Sequence, residues 1–156
     1  MRPTTDLAKE ALFNVLNNQI DFEAIQVLDL FSGTGNISLE FASRGAIHVL
    51  AVDKNPLCAA YLKRVIHDLG FSNMHFLRAD ALKFLGSCST RFDLVFADPP
   101  YDFEGTRSIP GLVFERGLLV ENGLLIIEHG PTTSFNDHLR LTDKRKYGKV
   151  HFSFFQ

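Results

Sequence analysis

The sequence predicts an α/β fold: a mainly parallel, seven-stranded sheet that ends in an antiparallel hairpin, with helices on both faces. Three observations lead there. Five short runs of branched and aromatic residues alternate with stretches of helical periodicity, which implies right-handed βαβ crossovers. Each of the first four runs ends in an acidic or glycine-rich loop, and in a parallel sheet those ends share one edge. The last two strand-like segments, 139–146 and 149–155, are joined tightly at Tyr147-Gly148, as in a hairpin.

The elements follow in order. Thr4 or Thr5 caps a first helix, with Asp6 favourably placed against its dipole and Leu7, Ala11, Leu12, Val15 and Leu16 at helical spacing. Gln26 to Phe31 is the first strand and runs into Ser32-Gly33-Thr34-Gly35-Asn36. A helix over 37–44 then closes at Gly45. A second strand, His48 to Val52, ends on Asp53. Pro56 opens a helix with Leu57, Tyr61, Leu62, Val65, Ile66 and Leu69 on one side, stopped by Gly70. The third strand covers about 74–77 and is followed by Arg78-Ala79-Asp80-Ala81 and a short helix. The fourth is Asp93 to Ala97. Residues 101–110 read as a flexible loop, 111–116 as a helix, Glu121-Asn122-Gly123 as a turn and 124–128 as the fifth strand. Tyr61, Phe41, Phe152, Phe154 and Phe155 are expected in the core, and His129 in a loop.

Bulk properties narrow the field. A chain of 156 residues, 46% hydrophobic and 22% charged, is one globular domain over 1–156. No apolar run is long enough to span a bilayer, and the N-terminus is too polar for a signal peptide. Cys58 and Cys88 read as isolated thiols of a reducing compartment, so a cytoplasmic location is expected. The six histidines lack metal-ligand spacing, and no metal is expected. A net charge of -2 lends no general support to nucleic-acid binding, which must rest on local patches.

The chemistry gathers on Asp98-Pro99-Pro100-Tyr101. The prolines cannot donate to a sheet ladder, so the fourth strand stops in a stiff turn at the carboxyl edge, where open α/β sheets place ligands. Asp98 is a charged acceptor, the prolyl carbonyls have no neighbouring N–H to occupy them, and Tyr101 offers a ring face. Those parts suit a planar base bearing an exocyclic amine. Along the same edge, Gly33 and Gly35 allow close backbone approach at a helix N-terminus. Asp53, eighteen residues after Gly35, can accept from both hydroxyls of a ribose, and Asp80 from an adenine amino group. The third glycine of a dinucleotide fingerprint is missing, and Asp29 suits an α-ammonium better than a pyrophosphate. S-adenosylmethionine fits best.

These motifs resemble, in order, those of Rossmann-fold S-adenosylmethionine-dependent methyltransferases acting on exocyclic amines. Arg2-Pro3-Thr4-Thr5-Asp6, the D-L-F-S-G-T-G-N loop, D-P-P-Y, Glu128-His129-Gly130 and Tyr147-Gly148 resemble more narrowly a bacterial family. That family methylates guanine at its 2-amino group in small-subunit (16S) ribosomal RNA. The resemblance implies cofactor contacts from Asp29, Phe31, Gly33, Gly35, Asp53, Asp80, Ala81 and Asp98. It implies catalysis by Asp98, Pro99, Pro100 and Tyr101, and substrate contacts from Arg2, Thr5, Lys146 and Lys149. RNA or the small ribosomal subunit is the implied partner of a monomer. Family members usually carry a basic, glycine-containing β-hairpin ahead of R-P-T, whereas this sequence starts at Met1-Arg2-Pro3. The dense basic cluster is Lys144 to Lys149, read equally as a phosphate contact or a charged edge that blocks aggregation. Competing readings are an adenine- or cytosine-directed nucleic-acid methyltransferase, a small-molecule or protein methyltransferase, and a cofactor-binding subunit of a heteromeric enzyme.

Overall fold

In the computed structural model, which describes residues 5–156, the first helix begins where the sequence places it. The Thr5 hydroxyl accepts the Ala8 N–H at 3.2 Å and caps α1, Asp6–Asn17. The expectation for Arg2 lies outside the described residues. A short 3-10 turn, Phe22–Ala24, leads to β1, Gln26–Leu30, then α2, Asn36–Ser43, and β2, His48–Asp53. α3, Pro56–Leu69, is capped by Asn55 and closed by Gly70 in the left-handed region, as Pro56 and Gly70 predict. β3, Met74–Arg78, α4, Ala81–Ser87, β4, Phe92–Ala97, and α5, Ile109–Glu115, precede β5, Leu119–His129. The hairpin is β6, Leu141–Tyr147, with β7, Val150–Phe155.

The sheet order is β3-β2-β1-β4-β5-β7-β6. β1 to β5 are parallel, while β7 is antiparallel to both β5 and β6. The last strand of the chain therefore slots between β5 and the outer hairpin strand. Successive strand residues point to opposite faces, and both faces are apolar, so the sheet carries two cores. Leu12, Phe13, Phe41 and Leu62 cover Val27, Val49, Phe96 and Phe152 on one face. Leu85, Ile109 and Val113 cover Leu28, Leu30, Val95 and Phe155 on the other. Each such side chain, fully buried, contributes roughly 1.5–3 kcal/mol.

Four expectations need correction. Tyr61 is not in the core: it is 40% exposed, Leu57 is 79% exposed, and Leu62 is the fully buried residue of α3. Residues 101–110 are not a loose loop, because a turn closed by Phe103 N–H on the Pro100 carbonyl runs into a 3-10 helix, Glu104–Ser108. Glu121-Asn122-Gly123 lies inside β5. There the register jumps from Phe92 opposite Leu119 to Leu94 opposite Leu124, and Asn122 takes φ 64°. The hairpin turns at Gly148-Lys149, with Tyr147 already paired to Val150 and Gly148 at φ 64°.

Candidate active site

β4 delivers Asp98 to the carboxyl edge, and the Asp98 N–H donates to the Leu30 carbonyl at 3.4 Å, tying the turn to β1. Beyond it the chain folds back on itself. Phe103 N–H donates to the Pro100 carbonyl at 3.0 Å, and Thr106 Oγ1 donates to the Phe103 carbonyl at 3.0 Å. The Pro100 carbonyl thus already accepts one N–H, contrary to expectation, and keeps only its second lone pair for an incoming amine. Tyr101 is 59% exposed, and its ring lies over Gly130, where any Cβ would run into the ring. Between the ends of β4 and β5 these groups wall a cavity of about 220 Å³ that also takes in Thr106, Glu128 and His129.

A second, narrower and mostly apolar slot of about 80 Å³ lies beside it. Phe31 and Phe103 form its aromatic wall, edge to face with centroids 5.1 Å apart. Phe31 holds φ 58°, a conformation that non-glycine residues rarely take and that turns its ring out of the end of β1. Asp53, Asp80 and Ala81 line the same slot. Both Asp53 oxygens are already engaged: Oδ2 accepts the Gly33 N–H at 2.8 Å and Oδ1 the Asn55 N–H at 2.9 Å. Asp53 therefore shapes the glycine loop first, and each oxygen keeps a second lone pair for a ligand. Asp80 caps α4, accepting the Lys83 N–H at 3.0 Å. Pro100 lines both cavities, so the two meet at that ring.

The glycine loop between β1 and α2 is built from backbone. Ser32 N–H donates to Val52 O, Gly35 N–H to Ser32 O and Gly33 N–H to Asp53. Gly35 is required twice over, because φ is 81° and a Cβ there would run into Leu62. The Ser32 hydroxyl oxygen is buried with no hydrogen-bond partner among the described residues. Asp29 lines neither of the two cavities. It is 1% exposed beneath the loop and accepts from Ser38 Oγ at 2.6 Å. Burial raises its pKa to about 7; hydrogen bonds from Ser38 oppose the rise, and the negative fields of Asp53 and Glu128 add to it.

His129 ends β5 and is half-buried, not a loop residue. Its Nδ1 sits 3.0 Å from the Gly130 carbonyl, which can only accept, so the proton is on Nδ1 and Nε2 accepts from Ser153 Oγ at 2.7 Å. Burial holds its pKa below the ordinary histidine value. One strand over, His151 pairs with His129, and Lys146 pairs with His151. Two strand spacings, about 10 Å, therefore separate Lys146 from the cavity wall, and the hairpin turn with exposed Lys149 stands at the same edge of the sheet. Thr5 is accounted for as a helix cap. Phe103 and Thr106 are missed by sequence reasoning, since an aromatic and a hydroxyl in a polar segment carry no periodic signal.

The sequence model of the family described as Conserved hypothetical protein 95 matches residues 1–156. The ribosomal RNA small subunit methyltransferase D of Buchnera aphidicola is 29% identical over 99% of this chain and 81% of its own length. The protein of the same name in Haemophilus influenzae is 33% identical over 82% of this chain and 67% of its own. The fold is also that of the Thermus thermophilus 16S rRNA N2 G1207 methyltransferase, solved with AdoMet and guanosine. That structure is 20% identical, with TM-score 0.76 over 98% of this chain and 43% of that one. Two chambers at the carboxyl edge of a doubly wound sheet, and a match over its whole length, place this chain in the family of small-subunit ribosomal RNA methyltransferases described as Conserved hypothetical protein 95.

Proposed function

We propose that the protein transfers a methyl group from S-adenosylmethionine to the exocyclic 2-amino group of a guanine in small-subunit ribosomal RNA. The observation that carries this is the pair of cavities meeting at Pro100, one apolar and aromatic-walled, the other framed by Asp98 and Tyr101. The residues of the first suit an adenosine: a planar base against Phe31 and Phe103, a ribose at Asp53, a base edge at Asp80 and Ala81. The buried Ser32 hydroxyl and the backbone at Gly33 and Gly35 suit the polar tail. The relatives' names supply the class of reaction and the RNA, and the Thermus enzyme holds AdoMet and guanosine on the same fold.

Bound S-adenosylmethionine supplies an electrophilic methyl, so the difficulty lies in the amine, whose lone pair is delocalised into the base. Asp98 and the Pro99 carbonyl accept its two N–H bonds and draw that lone pair toward the methyl. Charge-assisted hydrogen bonds are worth roughly 1.5–3 kcal/mol each. Tyr101, backed by Gly130, stacks on the base for about 1–3 kcal/mol. Together these offset the few kcal/mol needed to unstack a target base. The proton released from the amine passes to Asp98 or to solvent, and positioning supplies the larger part of the rate.

Calorimetry tests the cofactor half. S-adenosylmethionine should bind, and Asp53→Ala should weaken it by at least the value of a lost charged hydrogen bond, about 1.5–3 kcal/mol. Preferential binding of a nicotinamide dinucleotide would overturn the reading. The exposed hairpin tests the substrate half. Replacing Lys146 and Lys149 by Ala should weaken RNA binding and flatten its dependence on salt. An unchanged slope makes the cluster a solvated edge.

A further inference from the structure

α3 is a helix whose outward face is the wrong composition for one that only meets water. Leu57, Ala60, Tyr61 and Arg64 are all exposed and fall at helical spacing on one stripe. Leu57 is 79% exposed and Tyr61 40%, with the Arg64 guanidinium 5.8 Å from the Tyr61 ring centroid. Single exposed apolar residues need no explanation, but a leucine and a tyrosine side by side on one helix do. The stripe begins near the active site, because Lys54, just ahead of the Asn55 cap of α3, lines the aromatic slot. Arg78, at the end of β3, donates from Nε to the Lys54 carbonyl at 3.2 Å and adds its charge there. Lys54, Lys63, Arg64 and Arg78 are all exposed, and the acidic residue of α3, Asp68, sits at its far end.

We infer that this face of α3 is a docking surface for single-stranded RNA flanking the target base, with Tyr61 as a stacking platform and Arg64, Lys54 and Arg78 as phosphate contacts. The inference rests on the methyltransferase reading above. Charge complementarity argues for it: in a chain of net charge -2, Lys54, Lys63, Arg64 and Arg78 stand exposed on this side. The neighbouring Asp53 is buried and the acid of α3 is at its far end, while the second basic cluster, on the β6–β7 hairpin, has Arg145 paired with Asp143 at 2.9 Å. The two clusters lie at opposite ends of the carboxyl edge. β2, which leads into α3, and β6 are five strand positions apart, about 24 Å. The Asp98 cavity opens between β4 and β5, inside that span. From Pro56 to Arg64 the helix advances about 12 Å, enough to meet successive phosphates. Stacking plus backbone charge is the general way proteins hold single strands.

The test uses the full chain with undermethylated small ribosomal subunits and, separately, a single-stranded RNA oligonucleotide. Tyr61→Ala and Arg64→Gln, both at exposed positions, should keep the melting temperature and the affinity for S-adenosylmethionine. Each should weaken RNA binding about tenfold, and Arg64→Gln should lower the slope of log affinity against log salt by about 1. Tyr61→Phe should restore the parent affinity, since the ring is retained. If the parent methylates the subunits while the variants bind RNA with parental affinity and slope, the docking surface is refuted and the enzyme reading stands. If the variants abolish self-association in sedimentation but leave RNA binding alone, the face is an interface between copies, which equally refutes it. A parent that neither binds nor methylates RNA overturns both.

Discussion

Asp98→Ala is expected to lose methyl transfer by two or more orders of magnitude, about 3 kcal/mol in the barrier. The carboxylate is fixed by its setting. A buried strand ends at Ala97, the Asp98 N–H is tied to Leu30, and buried Pro99 follows with its φ locked. Removing a side chain at the end of such a strand should leave the fold intact. Tyr101 supplies the partner test. Tyr101→Phe should stay active, because the ring over Gly130 is what stacks, whereas Tyr101→Ala should not. In each variant cofactor affinity should move less than the rate, since the amine is engaged mainly as charge develops on it. Single-turnover methylation at saturating cofactor is the measurement. Transfer by Asp98→Ala at near the parent rate would mean that the turn is only a turn.

The legible parts of this molecule are those where one residue type answers one local demand. Pro56 and Gly70 bracket α3, Gly33 and Gly35 sit in the left-handed region of the first loop, and the two prolines stop β4. The order of acidic strand ends is enough to set Asp53, Asp80 and Asp98 along one edge. What the sequence conceals depends on distant partners. Tyr61 is an aromatic next to Leu62 in sequence and so reads as core, yet it stands about 100° around the helix from Leu62, on the outward stripe with Leu57 and Arg64. The Gly-containing segment after Tyr101 looks loose because its stability comes from backbone turns closed on Pro100 and Phe103, which leave no pattern in side-chain type. Glu121-Asn122-Gly123 has the composition of a turn and makes one, but β4 pairs on both sides of it and so keeps it inside β5. Asp53 reads from sequence as a ligand for ribose, and its bonds to Gly33 and Asn55 show that a strand-end carboxylate can build the loop it also faces.

Asp29→Asn is expected to stabilise the protein at pH 8 while weakening its hold on S-adenosylmethionine. The carboxyl is 1% exposed, and burial raises its pKa from 3.8 to about 7. The folded state therefore holds a proton that the unfolded chain has released between those values, so stability falls as pH rises from about 4 through about 7 and is level above. Ionising that group inside the fold costs on the order of 4 kcal/mol. Asparagine avoids the cost, and its side-chain oxygen can take the Ser38 hydroxyl that Asp29 Oδ2 takes now. The parent melting temperature should drop between pH 5 and pH 8, and Asp29→Asn should remove most of that drop. A variant no more stable than the parent at pH 8 would refute the buried-charge argument. A carboxylate buried at this position needs a reason, and we propose the cofactor's α-ammonium, a cation that holds Asp29 ionised. Binding at pH 6 should then release close to one proton, seen as a buffer-dependent enthalpy in calorimetry, and affinity should rise as pH climbs through 7. In Asp29→Asn both signatures should vanish together. Proton release that persists in that variant would assign the linkage to another group.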